Sequence, residues 1–130
     1  MILADTSAWV EYLRMTGSSA HRAMKELWPN LCATPPVAME VLAGARNERE
    51  AMRLRTVLLG TAVLDVSGPL DFDAAAAIYR ACRRAGRMFR GQLDCLIAAV
   101  AIRHGVPLLH SDADFDFIAE HTGLEIYEPA

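Results

Sequence analysis

The feature that most constrains the fold is an alternation, along the whole chain, of short apolar runs with segments of helical period. Apolar runs of strand length occupy residues 1–4, 31–34, 62–66, 106–110 and 125–127. Most are too continuously apolar to have a wet face, which is typical of parallel strands covered on both sides. Helix start and stop signals bound seven segments, at about residues 6–16, 18–29, 35–44, 48–59, 71–86, 92–104 and 114–121. The alternation predicts an α/β protein, a three-layer α/β/α sandwich around a parallel sheet of four to five strands.

Length and composition set the context for this fold. The chain has 130 residues, 53% of them hydrophobic, which suits one domain over residues 1–130 with a single core. A membrane span needs about 20 consecutive apolar residues, and the apolar stretches here are broken by charge sooner than that. No secretory signal precedes Asp5, and three widely spaced cysteines, Cys32, Cys82 and Cys95, favour buried reduced thiols. We therefore expect a cytoplasmic protein that does not enter a membrane.

Acidic residues lie beside these apolar runs at four separate places. Asp5 ends the first run, Asp112 follows the 106–110 run, Asp94 lies in the first turn of the sixth helix, and Glu40 lies about one turn into the third. In a parallel sheet, ligands bind beyond the carboxyl ends of the strands, where the strand order reverses. The assumed topology therefore predicts that the four carboxylates converge at one edge of the sheet.

The chemistry of these acids predicts a metal site. Buried carboxylates are costly unless they are paired with cations or a metal, and oxygen-only ligands suit Mg²⁺ or Mn²⁺ better than zinc. Taken singly, Asp5, Asp94 and Asp112 each have an ordinary alternative as helix-capping or first-turn acids. Glu40 has no local cation to pair with. The spacing of Asp112, Asp114 and Asp116 does not make a calcium loop, because the required glycine and closing glutamate are missing.

Arginines are concentrated in one stretch that leads towards Asp94. Since Arg binds phosphate bidentately, this stretch is a candidate contact for an RNA backbone, although a solvated helix end is the simpler alternative. The net charge of −3 argues against binding nucleic acid over the whole surface. The candidate RNA-binding residues are Arg80, Arg83, Arg84, Arg87 and Arg90.

The ordered motifs resemble those of one family. The segment MILADTSAWV containing Asp5, the Glu40 helix ending in LAG, the segment DCLIAA from Asp94 and the segment DADF from Asp112 resemble the successive motifs of the PIN-domain family, specifically the VapC-type toxins of bacterial toxin–antitoxin pairs. The resemblance covers nearly the whole chain. It implies a Mg²⁺- or Mn²⁺-dependent ribonuclease acting on tRNA or ribosomal RNA, a homodimer, and a cognate antitoxin that holds the enzyme inactive.

Site residues follow from the resemblance by position. Asp5, Glu40, Asp94 and Asp112 match the family's catalytic acids, and Asp5, Asp94 and Asp112 are the expected metal ligands. Asp114 matches a frequent extra acid, and Thr6 or Ser7 matches a hydroxyl beside the first carboxylate. Gly91 and Gln92 replace the small hydroxyl residue that relatives often carry before Asp94. The hypothesis is metal-assisted phosphodiester hydrolysis that leaves a 5′-phosphate, with one ion or with two about 4 Å apart.

Two other function classes fit parts of the sequence. The run that ends at Asp65 resembles the phosphorylated strand end of a receiver domain, but that chemistry requires a second acid after the first strand and a lysine near the last. A PIN domain that binds RNA or a partner without cutting is the second alternative. The presence of all four acids argues against a PIN domain that binds without cutting.

Overall fold

All 130 residues are described by the structure, a computed structural model, and its elements follow the predicted alternation. The four strands are β1 (Ile2–Ala4), β2 (Leu31–Ala33), β3 (Ala62–Val63) and β4 (Leu108–Leu109). A 3₁₀ turn occupies Trp28–Asn30. The seven α-helices are α1 (Thr6–Leu13), α2 (Ser19–Glu26), α3 (Pro35–Ala43), α4 (Glu48–Leu59), α5 (Leu70–Arg84), α6 (Leu93–His104) and α7 (Ala113–His121).

The sheet is parallel throughout, with strand order β3-β2-β1-β4. Leu3 pairs with Cys32 of β2 on one side and with Leu108 of β4 on the other. The chain therefore steps outward from β1 to β3 and then returns to the opposite side of β1, so the strand order reverses between β1 and β4. This confirms the predicted α/β class and places the carboxyl ends of β1 and β4 side by side.

The expected fifth strand is reduced to a single bridge. Ile126 pairs in parallel with Leu108, where the Leu108 amide donates to the Glu125 carbonyl and the Tyr127 amide donates to the Leu108 carbonyl. The sheet thus has four strands, with the C-terminal segment alongside β4.

Burial varies across the sheet. β1, β2 and β4 are fully buried, as their continuous apolar sequences predict. β3 is not: both of its residues are exposed, and Val63 keeps 46% of its surface in solvent. The expectation that this strand is covered on both faces is therefore wrong: the neighbouring elements leave the side chains of this two-residue edge strand in solvent.

Helix α6 passes through the core and delivers Asp94. Seven consecutive residues, Cys95 to Ala101, are buried, which is the pattern of a helix covered on all sides. The helix then ends at Gly105, which adopts a left-handed conformation at φ 66°. Because so much of α6 is buried, packing in the core fixes the position of Asp94 in its first turn.

The cysteines and the lengths of the helices can also be compared with the expectations from the sequence. The three cysteines are free and buried, as expected, and burial raises the pKa of Cys32 to about 11 and that of Cys95 to about 12. Each helix is too short or too polar to cross a membrane.

Candidate active site

Five carboxylates from four segments of the chain gather at the carboxyl edge of the sheet. Asp5 directly follows β1 and is the N-cap of α1, and Asp112 follows β4 and is the N-cap of α7. Glu40 projects from α3, while Asp94 and Asp114 lie in the first turns of α6 and α7. The structure therefore brings together the four acids predicted from sequence, together with Asp114.

The carboxylates form two overlapping triads. Oxygen atoms of Asp5, Glu40 and Asp94 lie within 4.8 Å of one another, and so do oxygen atoms of Asp94, Asp112 and Asp114. We call these the inner triad and the outer triad. Asp94 belongs to both, so it is the central carboxylate of the cluster.

Asp5 is the most deeply buried of the five acids in this cluster. It is only 3% exposed, and its Oδ2 accepts hydrogen bonds from the Ser7 amide at 3.0 Å and the Ser7 hydroxyl at 2.7 Å. Its Oδ1 is buried and has no hydrogen-bond partner. Burial raises the pKa of Asp5 despite the bonds from Ser7, and the nearby Glu40 charge adds to the rise.

A divalent cation fits the inner triad. A buried carboxylate oxygen without a partner is costly, and a cation removes that cost. Two further carboxylates lie within coordination range of the same point, and all three donors are hard oxygens of the kind that Mg²⁺ and Mn²⁺ prefer. Asp5, Glu40 and Asp94 are therefore the residues that would hold the ion, whereas the set predicted from the sequence had Asp112 in place of Glu40.

The crowding of charge is strongest at Asp94. Burial raises its pKa to about 7, and the charges of Asp5, Asp112, Glu40 and Asp114 contribute to the rise. No basic side chain bonds directly to Asp94, and the charges that raise its pKa are those of the surrounding carboxylates. A cation is the group that would restore its ionised form at neutral pH.

Two hydroxyl groups orient the carboxylates. The Thr6 hydroxyl donates to Glu40 Oε1 at 2.6 Å, and the Ser7 hydroxyl accepts from the Ser111 amide at 2.8 Å while it donates to Asp5. Thr6 therefore links α1 to α3, and Ser7 links α1 to the loop before α7. The sequence predicted that either Thr6 or Ser7 supplies a hydroxyl beside the first carboxylate. In the structure both hydroxyls bond to an acid of the cluster.

His110 contacts the backbone of Asp112, a member of the outer triad, and the side chain of Asp116. Its Nδ1 accepts from the Asp112 amide at 3.0 Å, so Nε2 carries the proton and donates to Asp116 at 3.0 Å. The side chain is 8% exposed and its ring lies against Phe115. Sequence spacing excluded a zinc role for His110 but gave no signal of this contact with the Asp112 backbone.

The five arginines of the predicted RNA-contact stretch differ in their surroundings. Arg87 bonds to Asp114 Oδ1 through Nε at 3.0 Å and Nη2 at 2.6 Å, and its guanidinium lies 5.2 Å from the centre of the Phe117 ring. Arg83 lies over Tyr79. Arg80, Arg84 and Arg90 are exposed and bond to no acid. The structure thus connects one member of the stretch to the acidic cluster and leaves the others at the surface.

Asp65 lies away from the cluster. It contacts Arg103 and His104 at the end of α6 opposite to Asp94, and its side chain is 77% exposed. The acid nearest to it in these contacts, Asp71, is buried and bonded to the same Arg103, and the lysine of the chain, Lys25, lies on α2. This position removes the basis for a receiver-like phosphoacceptor site.

Comparisons with known proteins identify the family. The family model described as "PIN domain" matches residues 2–120. The chain is 50% identical over 129 residues to "Ribonuclease VapC11" of Mycobacterium tuberculosis, with 96% of each chain covered. Among solved structures it resembles a VapBC2 chain of Rickettsia felis (TM-score 0.75, 17% identity, 98% of each chain) and a VapBC-1 chain of nontypeable Haemophilus influenzae (TM-score 0.74, 18% identity, 98% of each chain). The chain therefore belongs to the PIN-domain family and, within it, to the VapC-type toxins.

Proposed function

We propose that the protein is an endoribonuclease toxin that hydrolyses phosphodiester bonds of structured RNA, tRNA or ribosomal RNA, with Mg²⁺ or Mn²⁺ held by the acidic cluster. The observation that carries the metal dependence is the unpartnered Oδ1 of Asp5, buried among carboxylates. The ribonuclease activity is supported by the 50% identity to a protein named as a ribonuclease. We further propose that residues 1–130 form one catalytic domain that acts in the cytoplasm.

Each residue has a distinct part in this reaction. Asp5, Asp94 and Glu40 hold the cation, while Ser7 and Thr6 orient two of these carboxylates before any ligand arrives. A bound divalent cation supplies Lewis acidity, which activates water and offsets the charge that develops on the phosphate. Asp112 lies on the other side of Asp94 and completes the set of acids. Arg80, Arg83, Arg84 and Arg90 are exposed and free to contact the RNA backbone, which positions RNA without reading its sequence.

The activity is tested with purified protein free of antitoxin. It is incubated with total cellular RNA in Mg²⁺, in Mn²⁺ and in EDTA, and new 5′ ends are mapped by sequencing. We expect cuts at one or a few sites, bearing 5′-phosphates, that disappear in EDTA and in Asp5→Asn. Asp73→Asn, which removes an exposed acid on α5, is the matched control and retains the cuts. Cleavage that survives both EDTA and Asp5→Asn would refute the assignment.

A catalytically silent PIN domain is the remaining alternative. The four acids, their orienting hydroxyls and the bare Asp5 oxygen are all present, which favours an active site. Folded protein that binds Mn²⁺ but leaves every RNA intact would support the silent alternative.

A cognate antitoxin is the proposed protein partner, and a homodimer is the proposed assembly. The two solved relatives were determined as VapBC2 and VapBC-1. In this chain an apolar groove of about 280 Å³ runs between α3, α4 and β3, and Met39, Leu59 and Val63 beside it are 58%, 61% and 46% exposed.

Expression of the toxin alone should arrest growth, and co-expression of the antitoxin should relieve it. Light scattering of the isolated toxin checks the dimer.

A further inference from the structure

The two triads differ in what engages their oxygens. In the inner triad all donors are uncharged: Asp5 Oδ2 accepts from the Ser7 amide and hydroxyl, and Glu40 Oε1 accepts from the Thr6 hydroxyl. Asp5 Oδ1 has no partner although Asp5 is only 3% exposed. In the outer triad, Asp112 Oδ1 accepts from the Asp114 amide at 3.0 Å. Asp114 Oδ1 accepts two hydrogen bonds from Arg87. The outer triad thus already contains a cation of the protein's own.

Arg87 is held in this place by three independent contacts. Its backbone amide donates to the Cys82 carbonyl, and the Gly86 amide donates to the Arg83 carbonyl, which together form a Schellman motif at the end of α5. The side chain then reaches Asp114 across 27 residues of sequence, and Phe117 of α7 lies beneath the guanidinium. The Arg87–Asp114 pair is partly buried, with 40% and 30% of the side chains exposed. The two hydrogen bonds from Arg87 to Asp114, at 3.0 and 2.6 Å, are charge-assisted, and such bonds are stronger than neutral ones.

We propose that Arg87 occupies the cation position of the outer triad, so that the protein binds one divalent ion, at Asp5, Glu40 and Asp94, and uses the guanidinium where a second ion would otherwise bind. A second ion would have to break two hydrogen bonds to Asp114 and then lie beside a fixed positive charge. Loss of the positive charge frees Asp114 and leaves three carboxylates open to metal. This inference rests on the proposed metal-dependent function and specifies the number of ions.

The test is Mn²⁺ binding to the purified, antitoxin-free protein, followed by electron paramagnetic resonance and by calorimetry. Wild-type protein should bind one ion. Arg87→Met, which keeps an unbranched apolar stem but removes the guanidinium and its charge, should bind two, with the affinity for the second ion raised roughly tenfold or more, the scale of one charge-assisted hydrogen bond. Arg84→Met removes an exposed arginine of the same stretch and should still bind one. Arg87→Met combined with Asp5→Asn should bind one ion, at the outer triad.

The outcomes separate this inference from the proposed function. Two ions of similar affinity in wild-type protein would overturn the role of Arg87, whether or not Arg87→Met folds. One ion in folded Arg87→Met would also overturn it and would reduce Arg87 to a structural link between α5 and α7, visible only as a lower Tm. Binding of no ion by folded wild-type protein would instead refute the metal-dependent mechanism itself.

Discussion

At the scale of single residues, the proposed catalysis depends on carboxylates that are held in place before a ligand arrives. Thr6 shows this most directly, because its hydroxyl donates to Glu40 at 2.6 Å and joins two helices that are 34 residues apart in sequence. Asp5 is held in the same way by Ser7. Sequence alone suggested a hydroxyl beside the first carboxylate, and the structure gives each of the two hydroxyls its own acid.

Thr6→Val should therefore lower activity without unfolding the protein. The substitution preserves the shape of the side chain but frees Glu40, and loss of such a supporting contact typically costs about 10–100-fold in activity or metal affinity. Thr6→Ser restores a hydroxyl and should recover most of the loss. Thr56→Val, which removes an exposed hydroxyl on α4, should have no effect. RNA cleavage rates and Mn²⁺ titrations measure both effects. Equal activity of Thr6→Val and wild-type protein would show that Glu40 needs no support.

At the scale of secondary-structure elements, the connection between α5 and α6 sets the position of Arg87. Gly86 adopts φ 99°, which glycine reaches without strain and other residues rarely adopt, and no atom lies within 4 Å of where a Cβ would be. Backbone conformation alone therefore determines the effect of a substitution there.

Gly86→Ala should destabilise the protein by about 1–2 kcal/mol, the usual cost of a left-handed conformation in an alanine. Gly91→Ala in the same connection also meets open space, and its φ is not in the left-handed region, so it is the matched control with little change. Urea unfolding of the two variants gives the difference in free energy. Equal stabilities would show that the turn adjusts freely.

A buried ion pair joins the first turn of α5 to the end of α6. Asp71 is 1% exposed, accepts from Arg103 Nε at 2.8 Å and from the Ser67 amide at 2.7 Å. Burial opposes the charge on Asp71, but the bonds from Arg103 and Ser67 outweigh it, and the pKa of Asp71 is lowered. The sequence predicted Asp71 only as a helix start, because its partner is 32 residues away.

Asp71→Asn should cost about 1–3 kcal/mol near pH 7, since it removes one partner of a buried charged hydrogen bond. Because the folded protein lowers this pKa, the stabilisation is present above the unfolded pKa of about 4 and is lost as the pH falls below it. The difference from wild-type protein in urea unfolding should therefore shrink towards pH 3. Asp73→Asn, with an exposed side chain on the same helix, should show no difference at either pH. A difference that persists undiminished at pH 3 would contradict the role of the charge.

Local sequence patterns account for what could be predicted from the sequence. Pairing between distant segments accounts for what could not. Apolar runs and caps such as Asp5 and Asp112 are local signals, and they located the strands, the helices and the converging acids. The exposure of β3 and the pairing of Arg87 with Asp114 depend on which elements become neighbours in space. No spacing rule within the chain contains that information. For the same reason, sequence grouped five arginines that the structure divides by their surroundings.

At the scale of the whole molecule, the acidic site works against the stability of the metal-free fold. Asp5 and Asp94 both have raised pKa values, and that of Asp94 reaches about 7. A raised pKa of a carboxyl means that the folded state holds a proton which the unfolded state has released. Its contribution to stability is therefore greatest below about pH 4 and is lost as the pH rises from 4 to 7. For Asp94 the loss is completed only as the pH rises past its folded pKa of about 7.

Divalent ions should reverse this loss, and the reversal should depend on pH. The ion competes with the proton on Asp94, so Mg²⁺ or Mn²⁺ should raise the Tm by several degrees near pH 8 and by much less near pH 5. In EDTA, Asp94→Asn should be more stable than wild-type protein near pH 8, and the gap should close near pH 5. The same variant should gain little from added metal at either pH. Thermal unfolding of both proteins at the two pH values, with Mn²⁺ and with EDTA, makes the measurement. An equal metal-induced shift at both pH values would show that Asp94 does not exchange a proton for the ion.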